Sequence, residues 1–306
     1  MPSWQSRLLQ IYLRLTLKKR LSGDEREIAQ FARKKYGNEA LAARMTPKDV
    51  SINPVNENGI KGEWIWWEGD HDDRVIFHLH GGAYVACSPK IYRGYNAALA
   101  KLSRTKIFSL DYRLAPEHRF PAPVEDALKA YRWLLAQGIA PEKIIFNGDS
   151  AGGGLVLATL VALRDAGDPL PAMAFCLSPW TDLTASGNSV VTNDKNDVMF
   201  WGETGKKYAQ LYLNSADASN PLASPLFADL TGLPPLFIYV SDTEMLLDDS
   251  VRLAERARQA GVKVKLTIEK SQPHVWPIFV KLIPEATTTL QDIAQHIRTT
   301  SMEYKL

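Results

Sequence analysis

The chain has 306 residues, 45% apolar and 23% charged, which suits a soluble globular protein with a large core in one or two domains. Lys and Arg number 36 against 34 Asp and Glu, and a net charge of +2 gives the chain as a whole no electrostatic drive towards nucleic acid or an anionic membrane. Two cysteines, Cys87 and Cys176, make neither a disulfide framework nor a metal-ligand spacing, so two reduced thiols in a cytoplasmic protein are the expectation.

The first 23 residues are interrupted by Arg7 and Arg14 and carry no small-residue cleavage site, which argues against a signal peptide or a membrane span. Trp4, Leu8, Ile11, Tyr12 and Leu15 recur at helical spacing, with the basic residues mostly off that face. Such a stripe is expected to pack on its own protein; lying on a membrane is the alternative. Residues 1–45 read as helical throughout, one helix to about residue 21 and a second over 24–36 with Gly37 as its stop. Strands follow at 50–52 and 63–67, joined by a turn-rich stretch. Short, mostly apolar strands at 75–79, 106–110, 144–146, 174–177 and 236–240 alternate with helices near 92–102, 123–136, 155–163 and 246–260. A last strand at 262–269 and a terminal helix at 286–299 complete the series. Strands alternating with helices imply a mostly parallel sheet covered on both faces, an α/β class.

Two segments break the alternation: residues 1–45 and roughly 185–219. Together they are expected to form a helical cap over the sheet edge where open α/β folds bind ligands. The division is therefore a cap segment at 1–45 and a catalytic domain at 46–306, with a cap insertion at about 185–219.

Gly148-Asp149-Ser150-Ala151-Gly152 sits between a strand and a helix. That context is the one a nucleophile elbow needs: a sharp turn lifts the serine clear of the sheet, and the glycines allow strand and helix to approach closely. Ser150 then requires a base, an orienting acid and oxyanion donors. His80-Gly81-Gly82-Ala83 follows the 75–79 strand, and the N–H groups of Gly81 and Gly82, with that of Ala151, are the expected donors. His80 reads as a prop for that loop. A triad in elbow hydrolases runs serine, acid, histidine along the chain, and only His274 and His296 follow Ser150. His274 lies in a loop directly after the last strand, where a base belongs; His296 lies in the terminal helix. After the 236–240 strand, Asp242 and Glu244 both sit on the strand–helix loop, while Asp248 and Asp249 read as solvated charges of the first helical turn.

His80-Gly81-Gly82-Ala83, the run from Asp111 to Ala122, Gly148 to Gly153, and Ser178-Pro179-Trp180-Thr181-Asp182-Leu183 occur in this order. Together they resemble the hormone-sensitive-lipase family of α/β-hydrolase carboxylesterases, over residues from about 70 to the end. The resemblance implies an α/β-hydrolase fold and hydrolysis of short- to medium-chain acyl esters without metal or cofactor. It also bears on the acid. The family usually reads Asp-Pro-Leu-x-Asp-Asp/Glu, and Glu244-Met245-Leu246-Leu247-Asp248-Asp249 fits that frame with Glu in place of Asp. This assigns Glu244 and keeps Asp242 as the alternative. Arg113 and Glu117 read as an ion pair of the scaffold. Met199, Phe200, Trp201 and Tyr208 are candidate pocket walls. The expected enzyme is a serine carboxylesterase acting on a small-molecule ester through Ser150, His274 and Glu244. Lactone hydrolysis or deacetylation at the same site, a long-chain lipase and a non-catalytic ligand-binding module are the rivals. Neither nucleic acid nor stable membrane insertion is expected. A homodimer through the last strand is possible, unless Lys263, Lys265 and Lys270 protect that edge.

Overall fold

The computed structural model describes residues 1–39, 42–43, 46–69 and 71–303, with side chains to residue 299. Its centre is an eight-stranded sheet in the order β1-β2-β4-β3-β5-β6-β7-β8. The strands are β1 (Val50–Glu57), β2 (Ile60–Trp67), β3 (Val75–Leu79), β4 (Lys106–Leu110), β5 (Ile144–Asp149), β6 (Met173–Leu177), β7 (Leu236–Ser241) and β8 (Val264–Glu269). β1 and β2 pair antiparallel to each other, β2 pairs antiparallel to β4, and the remainder are parallel. Every residue of β3, β5 and β6 is buried, as strands covered on both faces must be. Phe77, Phe108 and Phe146 fill the core on one face, and Ile76, Ile107 and Ile145 on the other.

The strands expected at 50–52 and 63–67 are longer than the sequence reading. They run on as a hairpin through Asn58-Gly59, whose φ values of 51° and 71° suit a two-residue turn of mirror-image type. Pro54 is tolerated because β1 is an edge strand.

Helices cover both faces: α1 (Trp4–Thr16), α2 (Glu25–Tyr36), α3 (Pro89–Ser103), α4 (Ala122–Ala136), α5 (Ala151–Asp165), the short α6 (Ser189–Thr192), α7 (Gly202–Leu213), α8 (Leu247–Gln259) and α9 (Pro284–Glu303). Asp24 and Glu27 form a reciprocal capping box at the start of α2. Part of the helical reading of 1–45 falls on residues 40, 41, 44 and 45, which lie outside the described residues. α1 ends at Thr16, short of the expected residue 21.

The orientation of α1 reverses the expectation. Ser6 and Leu13 are buried and Leu9 half-buried, whereas Trp4, Leu8, Ile11, Tyr12 and Leu15 are 57–68% exposed. The helix has docked by its more polar face because that face finds partners. Ser6 Oγ donates to Gln272 Oε1 at 2.8 Å, and Gln10 Nε2 donates to the carbonyl of Ser271 at 3.0 Å. Beyond the helix, Lys18 donates to the carbonyls of Asp194 and Asp197 and stacks over Trp201 at 3.9 Å, and Lys207 donates to the carbonyl of Leu21 at 2.6 Å. The N-terminal segment and residues 185–219 thus hold one another.

Candidate active site

The chain leaves β5 at Asp149 and enters α5 at Ala151, so Ser150 has one residue in which to turn. It does so at φ 52° and ψ −123°, a left-handed value that a side chain rarely adopts. The Leu177 carbonyl accepts from its N–H at 2.8 Å, and the N–H groups of Gly154 and Trp180 donate to its carbonyl at 3.1 and 2.9 Å. A Cβ at Gly148 would stand 2.5 Å from the Gly152 carbonyl oxygen, and one at Gly152 would run into the carbonyl oxygens of Leu79 and His80. Close approach of strand, helix and the loop after β3 therefore demands glycine at both places.

His274 reaches this serine from the loop after β8. Its Nε2 lies 2.9 Å from Ser150 Oγ, and its Nδ1 lies 2.5 Å from Glu244 Oε2. The loop after β7 delivers Glu244, which is 1% exposed. The other carboxylate oxygen accepts from Ser178 Oγ at 2.8 Å and from the Ser241 N–H at 2.7 Å. Burial disfavours a charged His274 ring, but the Glu244 carboxylate and its hydrogen bond outweigh this and raise the ring above its ordinary value of 6.5. Burial pushes the Glu244 carboxyl up, against the pull of His274 and the Ser241 and Ser178 donors.

Asp242 is not beside the ring. Its side chain accepts from the Ser271 N–H at 2.7 Å and so braces the loop that carries His274. His296 takes part in a separate contact, 2.7 Å from Lys265 Nζ. Asp249 corrects the expectation of a solvated charge: it is 1% exposed and accepts from the N–H groups of Thr181 and Asp182 at 2.8 and 2.9 Å. Burial pushes its carboxyl up to about 7. Nor do Arg113 and Glu117 pair. Arg113 binds Asp126 at 2.8 Å, and Glu117 binds Arg33 of α2, which the sequence reading had not linked to that loop.

The loop after β3, where oxyanion donors were expected, also departs from expectation. The N–H of Gly81 is committed to Asp149 Oδ1 at 3.0 Å and to Tyr92 Oη at 3.1 Å. Tyr92 in turn donates to Asp149 Oδ2 at 2.8 Å. The N–H groups of Gly82, Ala83 and Ala151 have no acceptor among the described residues. Gly82 and Ala83 line one cavity with Ser150 and His274, and Gly81 does not. His80 is the expected prop: its carbonyl accepts from Tyr112 Oη at 2.6 Å, and its ring stacks on Tyr112 at 4.2 Å.

That cavity holds about 310 Å³. Met199 and Phe200 are in its wall, and the Phe200 ring stands edge-on to His274 at 5.3 Å. Trp201 and Tyr208 are not in it; Trp201 sits under Lys18, and Tyr208 meets the Tyr36 hydroxyl at 3.3 Å. The N-terminal segment was expected as a cap, but the wall residues it supplies, Leu9 and Leu13 of α1 and Leu17 just past it, were not named, nor were residues 278–282. The sequence reading also missed Ser178, which the signal of a serine at a strand end could have flagged. No group of three metal-binding side chains occurs among the described residues.

A family model for the alpha/beta hydrolase fold matches residues 76–278. An esterase from the bacterial hormone-sensitive lipase family superposes with a TM-score of 0.91 at 41% identity, over 98% of this chain and 99% of that one. The chain belongs to the hormone-sensitive-lipase family of α/β-hydrolases. An acetyl-hydrolase of Streptomyces hygroscopicus is 41% identical over 241 residues, 79% of this chain and 80% of the relative. An esterase of Acinetobacter venetianus is 36% identical over 255 residues, 82% and 84% of the two chains. The protein is accordingly a carboxylic ester hydrolase. Within the family frame, the glutamate at 244 still meets the histidine, because the longer side chain is held from behind by two donors.

Proposed function

We propose that the protein is a serine carboxylesterase in which Ser150 is the nucleophile, His274 the base and Glu244 the acid. The observation that carries this reading is the unbroken line of short contacts from Ser150 Oγ through both ring nitrogens to Glu244. His274 takes the hydroxyl proton as Oγ attacks the ester carbonyl. Glu244 holds the ring in the tautomer with the proton on Nδ1 and stabilises the imidazolium. The oxyanion is received by the N–H groups of Gly82, Ala83 and Ala151, which are the groups without other acceptors. His274 then protonates the leaving alcohol, and water attacks the acyl-enzyme along the same route.

A cavity near the small end of ligand sites, roughly 300–1,000 Å³, and walled by leucine, methionine and phenylalanine supports short to medium acyl chains. The first segment of the chain and residues 185–219 serve as the cap. The test is hydrolysis of p-nitrophenyl esters of increasing acyl length by the wild type and by Ser150→Ala, His274→Ala, Glu244→Ala and Asp242→Ala. The first three are expected to lose at least about 10³-fold in kcat, and Asp242→Ala far less. Full activity in Glu244→Ala would remove it from the mechanism.

A further inference from the structure

The outward face of α1 has no partner among the described residues. Trp4, Leu8, Ile11, Tyr12 and Leu15 stand on it at 57–68% exposure, and Leu282 beside the cavity is 45% exposed. Scattered exposed apolar side chains are ordinary, but a contiguous strip on one helix face marks a contact surface. Its electrostatic setting selects the partner. Residues 1–23 contain Arg7, Arg14, Lys18, Lys19 and Arg20 and no acidic residue. Arg7, Arg14, Lys19 and Arg20 are exposed, and none makes an ion pair with a carboxylate among the described residues. Exposed Lys35 and Lys281, like Tyr12 and Leu282, line the cavity that holds Ser150. The mouth of the cavity therefore opens beside a surface that is both apolar and cationic.

We infer that α1 docks the enzyme on an anionic lipid bilayer, lying in the interface with the Trp4–Leu15 strip in the acyl boundary and the cations at the headgroups. An amphipathic helix with aromatic and leucine residues on one side and basic residues at its flanks binds such surfaces in this way. The contact is peripheral: no described helix is long and apolar enough to cross a membrane. The near-neutral net charge of +2 does not oppose it, because the lipid surface attracts the local cluster over about one Debye length. Docking in this pose sets the cavity mouth at the headgroup level, and that consequence alone rests on the esterase reading.

The test is flotation of the full-length chain with phosphatidylcholine vesicles, with and without one-third phosphatidylglycerol. Wild type is expected to float with the anionic vesicles and to be released by high salt. Removing two cations in Arg7→Gln/Lys19→Gln should weaken partitioning by roughly 25-fold, about fivefold per charge. Leu8→Ser/Leu15→Ser should weaken it at least about tenfold. Both pairs lie away from the cavity wall, so both variants should hydrolyse a soluble ester as wild type does, and Ser150→Ala should float normally. The inference is overturned if wild type stays in solution with anionic vesicles, or if both double variants float as well as wild type. It is equally overturned if light scattering shows a dimer that Leu8→Ser/Leu15→Ser dissociates while no vesicle binds. None of these outcomes touches the triad, whose failure would show only in ester turnover.

Discussion

Ser178→Ala tests whether the proposed acid works because it is held. Ser178 is fully buried, and its hydroxyl is used twice: it donates to Glu244 Oε1 at 2.8 Å and accepts from the Val275 N–H at 3.1 Å. It thus ties the acid to the residue next to His274. Alanine leaves a buried carboxylate short of one donor and a backbone N–H without an acceptor. A hydrogen bond to a charged group contributes about 1.5–3 kcal/mol, and an orphaned buried donor costs about 1–3 kcal/mol. The sum is about 2.5–6 kcal/mol, or roughly 5–12 °C in Tm at about 2 °C per kcal/mol for a chain of this size. Activity should fall by about 10- to 100-fold in kcat, since a displacement of about 1 Å in the supporting group can cost about 10²-fold. KM should hold, because Ser178 is not in the cavity wall. Backbone conformation supplies the control. Ser178 has φ 45°, where serine and alanine alike are strained by about 1–2 kcal/mol and glycine is free. Ser178→Gly should therefore recover part of the lost Tm and none of the lost kcat. The assays are p-nitrophenyl butyrate kinetics and calorimetry. Wild-type kcat in either variant would refute the idea that Glu244 needs this brace, because neither side chain offers the hydroxyl.

Other consequences follow from the same geometry. Because Glu244 raises His274 above 6.5, the acid limb of kcat/KM should lie above pH 6.5; Glu244→Gln should shift it to lower pH while lowering the plateau. With the folded value raised, protonation of His274 contributes stability that is fully present below pH 6.5 and fades as pH rises through the folded value, which a pH series of Tm would register. Gly152→Ala should drive a Cβ into the backbone oxygens of Leu79 and His80, costing at least about 1–3 kcal/mol; an unchanged Tm would contradict the close approach. Burial pushes Asp149 up to about 6 from 3.8, so its contribution to stability is present in full below pH 3.8 and is lost as pH rises to about 6. Asp149→Asn keeps an acceptor for the Gly81 N–H and removes the titrating charge, so the decline of Tm across that window should flatten.

Much of this architecture is readable from the chain because it depends on local rules. Parallel strands buried on both faces are largely apolar; 144–146 is apolar throughout, and 75–79 is broken only by His78, whose Nδ1 meets Asn147 Oδ1 at 2.9 Å. An elbow needs small residues where backbones meet, and Gly148 and Gly152 stand there. What escaped reading depends on partners distant in sequence. The Gly81 N–H was free on paper and is taken by Asp149, 68 residues away. Asp249 had the position of a solvated first-turn charge, yet two N–H groups of the loop after β6 made burial affordable.

The first helix shows the same limit most sharply. Two apolar stripes run along it, Trp4-Leu8-Ile11-Tyr12-Leu15 and Leu9-Leu13 continued by Leu17 at its C-cap, and hydrophobic periodicity favours burial of the first because it is larger and cleaner. The second shares its face with Ser6 and Gln10, which makes it the poorer candidate by composition. Those two polar side chains decide the outcome, since Gln272 and the Ser271 carbonyl meet them in the loop that carries His274. A polar group that finds its partner loses little on burial, while the apolar stripe it displaces is left facing outward. The surface assigned here to lipid and the bracing of the His274 loop are therefore two results of one docking choice. The helix can serve both because the residues that anchor it are not the residues it presents.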